Sequence, residues 1–310
     1  MNKRIVRIVS LMSALSVFFG IATLAKLKYN KHELEKSLTG TIYYTDRDCK
    51  AVKFDIENNS KEIPAEESRY ITDCYYDAKK DDIIYWNTDD NCDVISILSG
   101  NKNIHIPIDE ILSCVKVDES KHESFKLTAL KNGFVYGIKS YYDNNQNEKL
   151  RLYQIDISTQ ETNSFELSGY FDVCDTQDKR LYFSIDSNVY YLDGNEIQQC
   201  PTKVSNIVAA NDDYVVSYDA HDDFYGKLKV FDANTWKEKY SIRIASAPYD
   251  AVLSPDSTKL LYCVPDYSLD IPGESLGVSE VIILDLKSGA TLKYTMTNGI
   301  KIIKLVDWTK

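Results

Sequence analysis

The chain closes on Ile302-Ile303-Lys304-Leu305-Val306-Asp307-Trp308, a strand-like run with only Thr309 and Lys310 after it. Its first strand-like run, Thr41-Ile42-Tyr43-Tyr44-Thr45, follows a basic, apolar leader and has no strand partner before it. Both are rich in the β-branched and aromatic residues that suit a pleated, half-buried surface. One segment lacks a successor and the other a predecessor, so joining them end to end completes one sheet. Such closure removes the open edge at the seam of a β protein.

Between these ends the chain repeats. Six runs share one character: Thr41–Thr45, Ile83–Asn87, Phe134–Lys139, Leu181–Ile185, Tyr214–Asp219 and Leu260–Val264, with starts 42, 51, 47, 33 and 46 residues apart. Each is followed by a polar turn and a second strand, as in Ala51–Ile56, Val94–Leu98, Leu150–Ile157, Asn188–Leu192, Leu228–Asp232 and Val281–Leu286. A weaker outer strand comes next. A short strand also precedes every run but the first: Tyr70–Tyr75, Phe125–Leu130, Tyr170–Cys174, Ile207–Ala210 and Asp250–Leu253. Four short strands per unit of 40–50 residues is the sequence signature of a propeller blade. The expected fold is all-β: a six-bladed β-propeller of four-stranded blades over residues 41–310, with the C-terminal strand completing the first blade. An irregular β-sandwich is the alternative, but it does not predict the mismatched ends. One short helical piece is expected near Ile108–Leu112.

Ser254-Pro255-Asp256-Ser257 leading into Lys259-Leu260-Leu261-Tyr262-Cys263-Val264 resembles the S-P-D-G turn and strand of TolB-like propellers, with Ser257 where that pattern favours glycine. Thr41-Ile42-Tyr43-Tyr44-Thr45-Asp46 and Ile84-Tyr85-Trp86-Asn87 resemble the Y-W-T-D repeats of a second propeller family. Both families are six-bladed, and the resemblance implies protein–protein interaction rather than catalysis.

Residues 1–25 read differently. Lys3, Arg4 and Arg7 precede Ile8–Ala25, 18 residues without a charge, and Lys26, Lys28 and Lys31 follow. That length reaches the lower limit for a helix crossing roughly 30 Å of hydrocarbon. It exceeds the usual apolar region of a cleaved signal, about 7–15 residues. An uncleaved signal anchor is expected, with cleavage after Ala25 as the alternative. Residues 26–40 are then a linker, and the balance of flanking charge places the body outside the cytoplasm at the cell membrane.

The net charge of −11 is uneven: residues 1–40 carry seven Lys/Arg against two Asp/Glu, and the remainder 29 against 45. So acidic a body is repelled by phosphate backbones, which argues against nucleic acid as a partner. The seven cysteines show no C-x-x-C or Cys/His spacing, so no zinc site is expected. Cys49 and Cys92 fall in hairpin loops where a disulfide can form, whereas Cys74, Cys174 and Cys263 read as buried small hydrophobes in strands. The odd total sits uneasily with an oxidising compartment.

No motif for catalysis survives its context. Gly273-Glu274-Ser275-Leu276-Gly277 matches G-x-S-x-G, which needs a strand-to-helix turn, yet it leads into a strand. The hairpins Asp89-x-Asn91-x-Asp93 and Asp143-x-Asn145-x-Asn147 lack the glycine and glutamate of a calcium loop and read as solvated turns. No cofactor, no metal and no catalytic residue is expected.

The second-to-third turns of the blades share a face with the inter-blade connections. There the loops Lys139–Lys149, Asp219–Lys227 and Pro265–Ser279 exceed ordinary hairpin length. They carry Tyr141, Tyr142, Phe224, Tyr225 and Tyr267 interleaved with carboxylates, and His221, Asp222 and Asp223 form the densest polar cluster with Asp219. Aromatics on loops over a rigid scaffold suit partner binding, although they also suit packing on blade edges. The expected function is a membrane-anchored, extracytoplasmic binding module for a protein or glycan at the cell surface. The alternatives are a propeller hydrolase or lyase acting on extracellular glycan or peptide through carboxylates around the axis, and a sensor or lectin-like domain with a ligand in the axial channel.

Overall fold

The computed structural model describes residues 26–310 apart from 27, 47–49, 64–70, 78–81, 90–91, 100–101, 119–122, 132, 144, 168, 170, 175–179, 187, 202–203, 221–225, 267–276 and 294–301. Six four-stranded antiparallel sheets form the blades of a β-propeller. Blade 1 holds β1 (Thr41–Asp46), β2 (Ala51–Asp55) and β3 (Ser60–Glu62), and blade 2 holds β4 (Ile71–Asp77), β5 (Asp82–Asp89), β6 (Cys92–Ser99) and β7 (Lys102–Pro107). Blade 3 is β8 (Ser124–Lys131), β9 (Phe134–Tyr142), β10 (Glu148–Asp156) and β11 (Thr162–Leu167). Blade 4 is β12 (Phe171–Cys174), β13 (Leu181–Ile185), β14 (Asn188–Asp193) and β15 (Glu196–Gln199). Blade 5 is β16 (Asn206–Ala210), β17 (Tyr214–Ala220), β18 (Gly226–Asp232) and β19 (Glu238–Ile244). Blade 6 is β20 (Asp250–Leu253), β21 (Lys259–Asp266), β22 (Gly277–Asp285) and β23 (Thr291–Lys293).

The last strand, β24 (Ile302–Thr309), is the innermost strand of blade 1. It pairs antiparallel with β1, Thr41 opposite Thr309 and Ile42 opposite Trp308. The ends of the chain therefore close the ring as their sequences predict. The expected short helix is also present over Ile108–Ser113, with Ile108 and Ile111 buried between blades 2 and 3.

Burial explains the pattern of the runs. A propeller blade is covered on both faces by its neighbours, so its middle strands are apolar on both sides. In β13, Leu181, Tyr182 and Phe183 are all buried, whereas β3 at the rim is exposed at every residue. The core is accordingly divided into six clusters, one between each pair of adjacent blades.

The strands of a blade alternate in direction. The inter-blade connections and second-to-third turns thus lie on one face, the upper, and the first-to-second and third-to-fourth turns on the lower. Polar bonds tie neighbouring blades together at the lower face. Lys131 Nζ donates to the carbonyl of Arg180 at 3.4 Å, and Arg180 donates to the carbonyl of Ala233 at 3.2 Å. The Arg180 guanidinium also lies over the rings of Tyr182 and Tyr191. Between blades 5 and 6, Ser257 adopts a left-handed φ of 55°, a conformation that favours glycine. Its hydroxyl donates to Asp213 at 2.6 Å and accepts from Asn211 at 3.0 Å, a link glycine would lack.

The third-to-fourth turns carry a hidden repeat. Asp156, Asp232 and Asp285 each end a third strand and accept a backbone N–H two or three residues on. The fourth residue beyond each (Gln160, Trp236, Gly289) has positive φ and donates its N–H back to the aspartate carbonyl. These side chains replace the ladder bonds a tight turn gives up.

Residues 26–40 depart from the expected linker. Residues 28–36 form a helix, α1, and Leu34 and Leu38 are buried in the cluster between blades 6 and 1. The Trp308 indole donates to the carbonyl of Thr39 at 2.9 Å, and Ile56 N–H to the carbonyl of Gly40 at 3.0 Å. The spacing of Leu34 and Leu38, one helical turn apart, is what docks this stretch. Among the described residues no helix is long and apolar enough to cross a membrane; residues 1–25 lie outside them.

Candidate functional site

On the upper face the expected long loop at Lys139–Lys149 is mostly strand. The ladder continues through Lys139, Ser140 and Tyr141 to Tyr142 opposite Glu148, which leaves a turn of residues 143–147. Polar residues did not end the strands because a blade tip is solvated and needs no apolar partner there. Asp143 closes the turn by accepting the N–H groups of Asn145 and Asn147 at 2.8 and 3.0 Å. These bonds, the one from Asn147 above all, hold its carboxyl below the usual carboxylate range. The Asp143 carboxylate is therefore spent on its own turn, as expected of a solvated hairpin.

Tyr141 and Tyr142 have different fates. Tyr141 lies under the Arg151 guanidinium, 5.3 Å from its ring centroid, and its hydroxyl joins the ion pair between Arg151 and Glu166 at 2.6 Å. It is packed on the blade edge. Tyr142 is 47% exposed at the strand end. His221, Asp222, Asp223, Phe224, Tyr225 and Tyr267 lie outside the described residues; the strands bracket them at Ala220 opposite Gly226 and at Asp266 opposite Gly277. Asp219, beside that cluster, ion-pairs with Lys229 and accepts from Ser205. Burial works to raise its pKa, but those bonds outweigh burial and hold it low.

The upper end of the central axis is hollow. A cavity of about 540 Å³ is lined by Asp172, Ser184, Ser205, Asn206, Tyr249 and Asp250 among others. Tyr249, in the connection from blade 5 to blade 6, is 46% exposed. Sequence reading missed this residue because its partners come from three blades, and only their register places them together. The one local signal was an aromatic directly before an innermost strand. The two carboxylates here are not equivalent. Asp250 accepts from the N–H groups of Ala251, at 3.0 Å, and Leu305, and so ties β20 to β24. The Asp172 carboxylate makes no hydrogen bond or ion pair with another described residue.

A second cleft, about 460 Å³, separates blades 3 and 4 and shares Asp172 and Val173 with the axial hollow. A third, of similar size, lies on the lower face between α1 and blades 5 and 6. Among the described residues no three His, Cys, Asp or Glu side chains gather as a metal site. Gly277, the last residue of the G-x-S-x-G stretch, opens β22, and residues 273–276 lie outside the described residues.

The fold and face together define a six-bladed propeller with an open axial mouth lined by both polar and apolar side chains. No protein-family model and no curated protein sequence matches the chain. Among solved structures it is similar to TolB from Acinetobacter baumannii, with a TM-score of 0.53 and 14% identity over 87% of this chain and 67% of that one. It is also similar to a chain from a nidogen–laminin complex, with a TM-score of 0.52 and 12% identity over 88% of this chain and 98% of that one. At such identities the likeness is one of fold, of the TolB-like and YWTD-like type that the turn and strand motifs suggest.

Proposed function

We propose that this chain is a membrane-tethered, extracytoplasmic binding module that captures a protein or glycan on the upper face of its propeller and does no chemistry on it. The carrying observation is the state of the axial mouth. The cavity offers an exposed tyrosine, amides, hydroxyls and one unengaged carboxylate, while its second carboxylate is committed to backbone N–H groups. A glycoside-cleaving pair needs two carboxyl groups free to act across the bond. Tyr249 at this mouth and Tyr142 at the tip of blade 3, both exposed on the upper face, are instead suited to contact. A propeller of this fold occurs in a nidogen–laminin complex, which supports the analogy without identifying a partner.

Tethering supports the same face. The apolar segment Ile8–Ala25 precedes α1, which is docked on the lower face. A chain held in a bilayer through that segment keeps its lower face toward the membrane and offers its upper face outward. Cross-linking in native membranes, followed by mass spectrometry, tests the reading with wild type and a Tyr142→Ser/Tyr249→Ser variant. A stoichiometric partner that is lost in the variant supports it. A partner retained undiminished by the folded variant overturns it.

A further inference from the structure

We propose that the cleft between blades 3 and 4 is a pocket for a small zwitterionic ligand, an amino acid or short peptide with a free ammonium, a free carboxylate and an apolar side chain. Its volume, about 460 Å³, falls in the range of small-molecule sites. One wall is the innermost strand of blade 3 and carries Lys126; the other is the innermost strand of blade 4 and carries Asp172. Both residues are exposed. Neither side chain makes a hydrogen bond or an ion pair with any described residue, including the other. Nearby opposite charges behave differently: Lys139 pairs with Glu123 at 2.7 Å, and Arg151 with Glu166 at 2.6 Å. The cleft thus holds a cation and an anion in one cavity that do not pair with each other.

Between these charges the floor is apolar. Ile138 and Leu150 from blade 3, with Phe171 and Val173 from blade 4, form the incompletely buried upper end of the cluster joining the two blades. A ligand with both charges satisfies both walls at once, its carboxylate on Lys126 and its ammonium on Asp172. Its side chain then covers the floor. A ligand with a single charge leaves one wall unmatched, and burying that wall costs free energy. Charge-assisted bonds in a cleft that sheds water are stronger than the same bonds at an open surface. The pocket goes beyond the upper-face reading, because a small ligand seated between two blades needs neither Tyr142 nor Tyr249.

The test is calorimetric titration of the full-length chain, purified in detergent, with leucine, phenylalanine, dileucine and N-acetyl-leucinamide. Saturable one-to-one binding of a zwitterionic probe is expected, with none for the blocked amide. Free amino acid and dipeptide are distinguished by which of them binds more tightly. Lys126→Ala and Asp172→Asn should each weaken binding by about tenfold or more, as expected for loss of one charge-assisted contact. Lys126→Arg should retain it. Both positions are exposed, so circular dichroism and thermal melting should show wild-type folding. The proposal is overturned if no zwitterionic probe saturates, if the blocked amide binds equally well, or if either folded variant binds as wild type does.

Discussion

Replacing Trp308 by alanine should open the seam of the ring. The indole is buried where blades 6 and 1 meet, in a cluster with Leu34, Leu38, Ile42, Phe54, Leu292 and Leu305. Truncating a buried tryptophan costs about 3–5 kcal/mol through lost transfer energy and the cavity left behind. The lost bond to the carbonyl of Thr39 adds about 1 kcal/mol. The expected loss is about 4–6 kcal/mol, a large part of the roughly 5–15 kcal/mol that holds a typical domain folded. Trp308→Phe keeps most of the packing and loses the hydrogen bond, so about 1–2 kcal/mol is expected. Urea unfolding followed by far-ultraviolet circular dichroism measures both without relying on the removed fluorophore. A Trp308→Ala loss below about 1 kcal/mol would refute the view that the seam is closed by this contact. Equal losses in the two variants would show that the indole bond, not the packing, carries the effect.

Leu34→Ala should cost about 2–4 kcal/mol and expose the helix 28–36 to proteolysis, because Leu34 is buried against the seam; unchanged protease resistance would mean that this helix is not docked. Tyr44→Phe should leave stability equal or raise it by about 1 kcal/mol, since the buried Tyr44 hydroxyl has no hydrogen-bond partner among the described residues; a clear loss on urea unfolding would contradict that. Turn carboxylates are held low in the fold: Asp232 at about 2 by bonds from Thr235, Asp143 by those from Asn147 and Asn145, and Asp55 by those from Asn58. Their stabilisation is full above the ordinary carboxylate range and is lost as pH falls through the depressed values. The urea midpoint should therefore drop between about pH 4 and pH 2, and a flat profile there would exclude this contribution. Burial pushes the Cys263 thiol well up, with Asp250 adding to the effect. Cys263 and Cys200, both buried, should resist a thiol reagent until the chain unfolds, whereas half-buried Cys114 reacts first.

The repeat was legible because each of its signals is local. A middle strand covered on both faces must be apolar and β-branched or aromatic, so Leu181–Ile185 and Leu260–Val264 declare themselves without their neighbours. The turn Asp232-Ala233-Asn234-Thr235 is likewise local, since the side chain that closes it lies within the same four residues. Lys139–Tyr142 misled for the same reason. Its polar residues resemble loop, and only the facing strand Glu148–Asp156 shows that they continue a ladder.

Sequence by itself determined the blade count, the strand order and the pairing of the two chain ends. Those follow from alternation, turn chemistry and the need to cover every sheet edge, all of which act over a few residues or at the termini. Tertiary structure decided the rest. The spacing of Leu34 and Leu38 has meaning only once the seam offers an apolar notch to receive them. Asp172 of blade 4 meets Tyr249, from the connection into blade 6, in one cavity and Lys126 of blade 3 in another, and both neighbourhoods depend on how far each blade is rotated about the axis. That rotation is set by the volumes packed between blades, a sum over many side chains that no local pattern records.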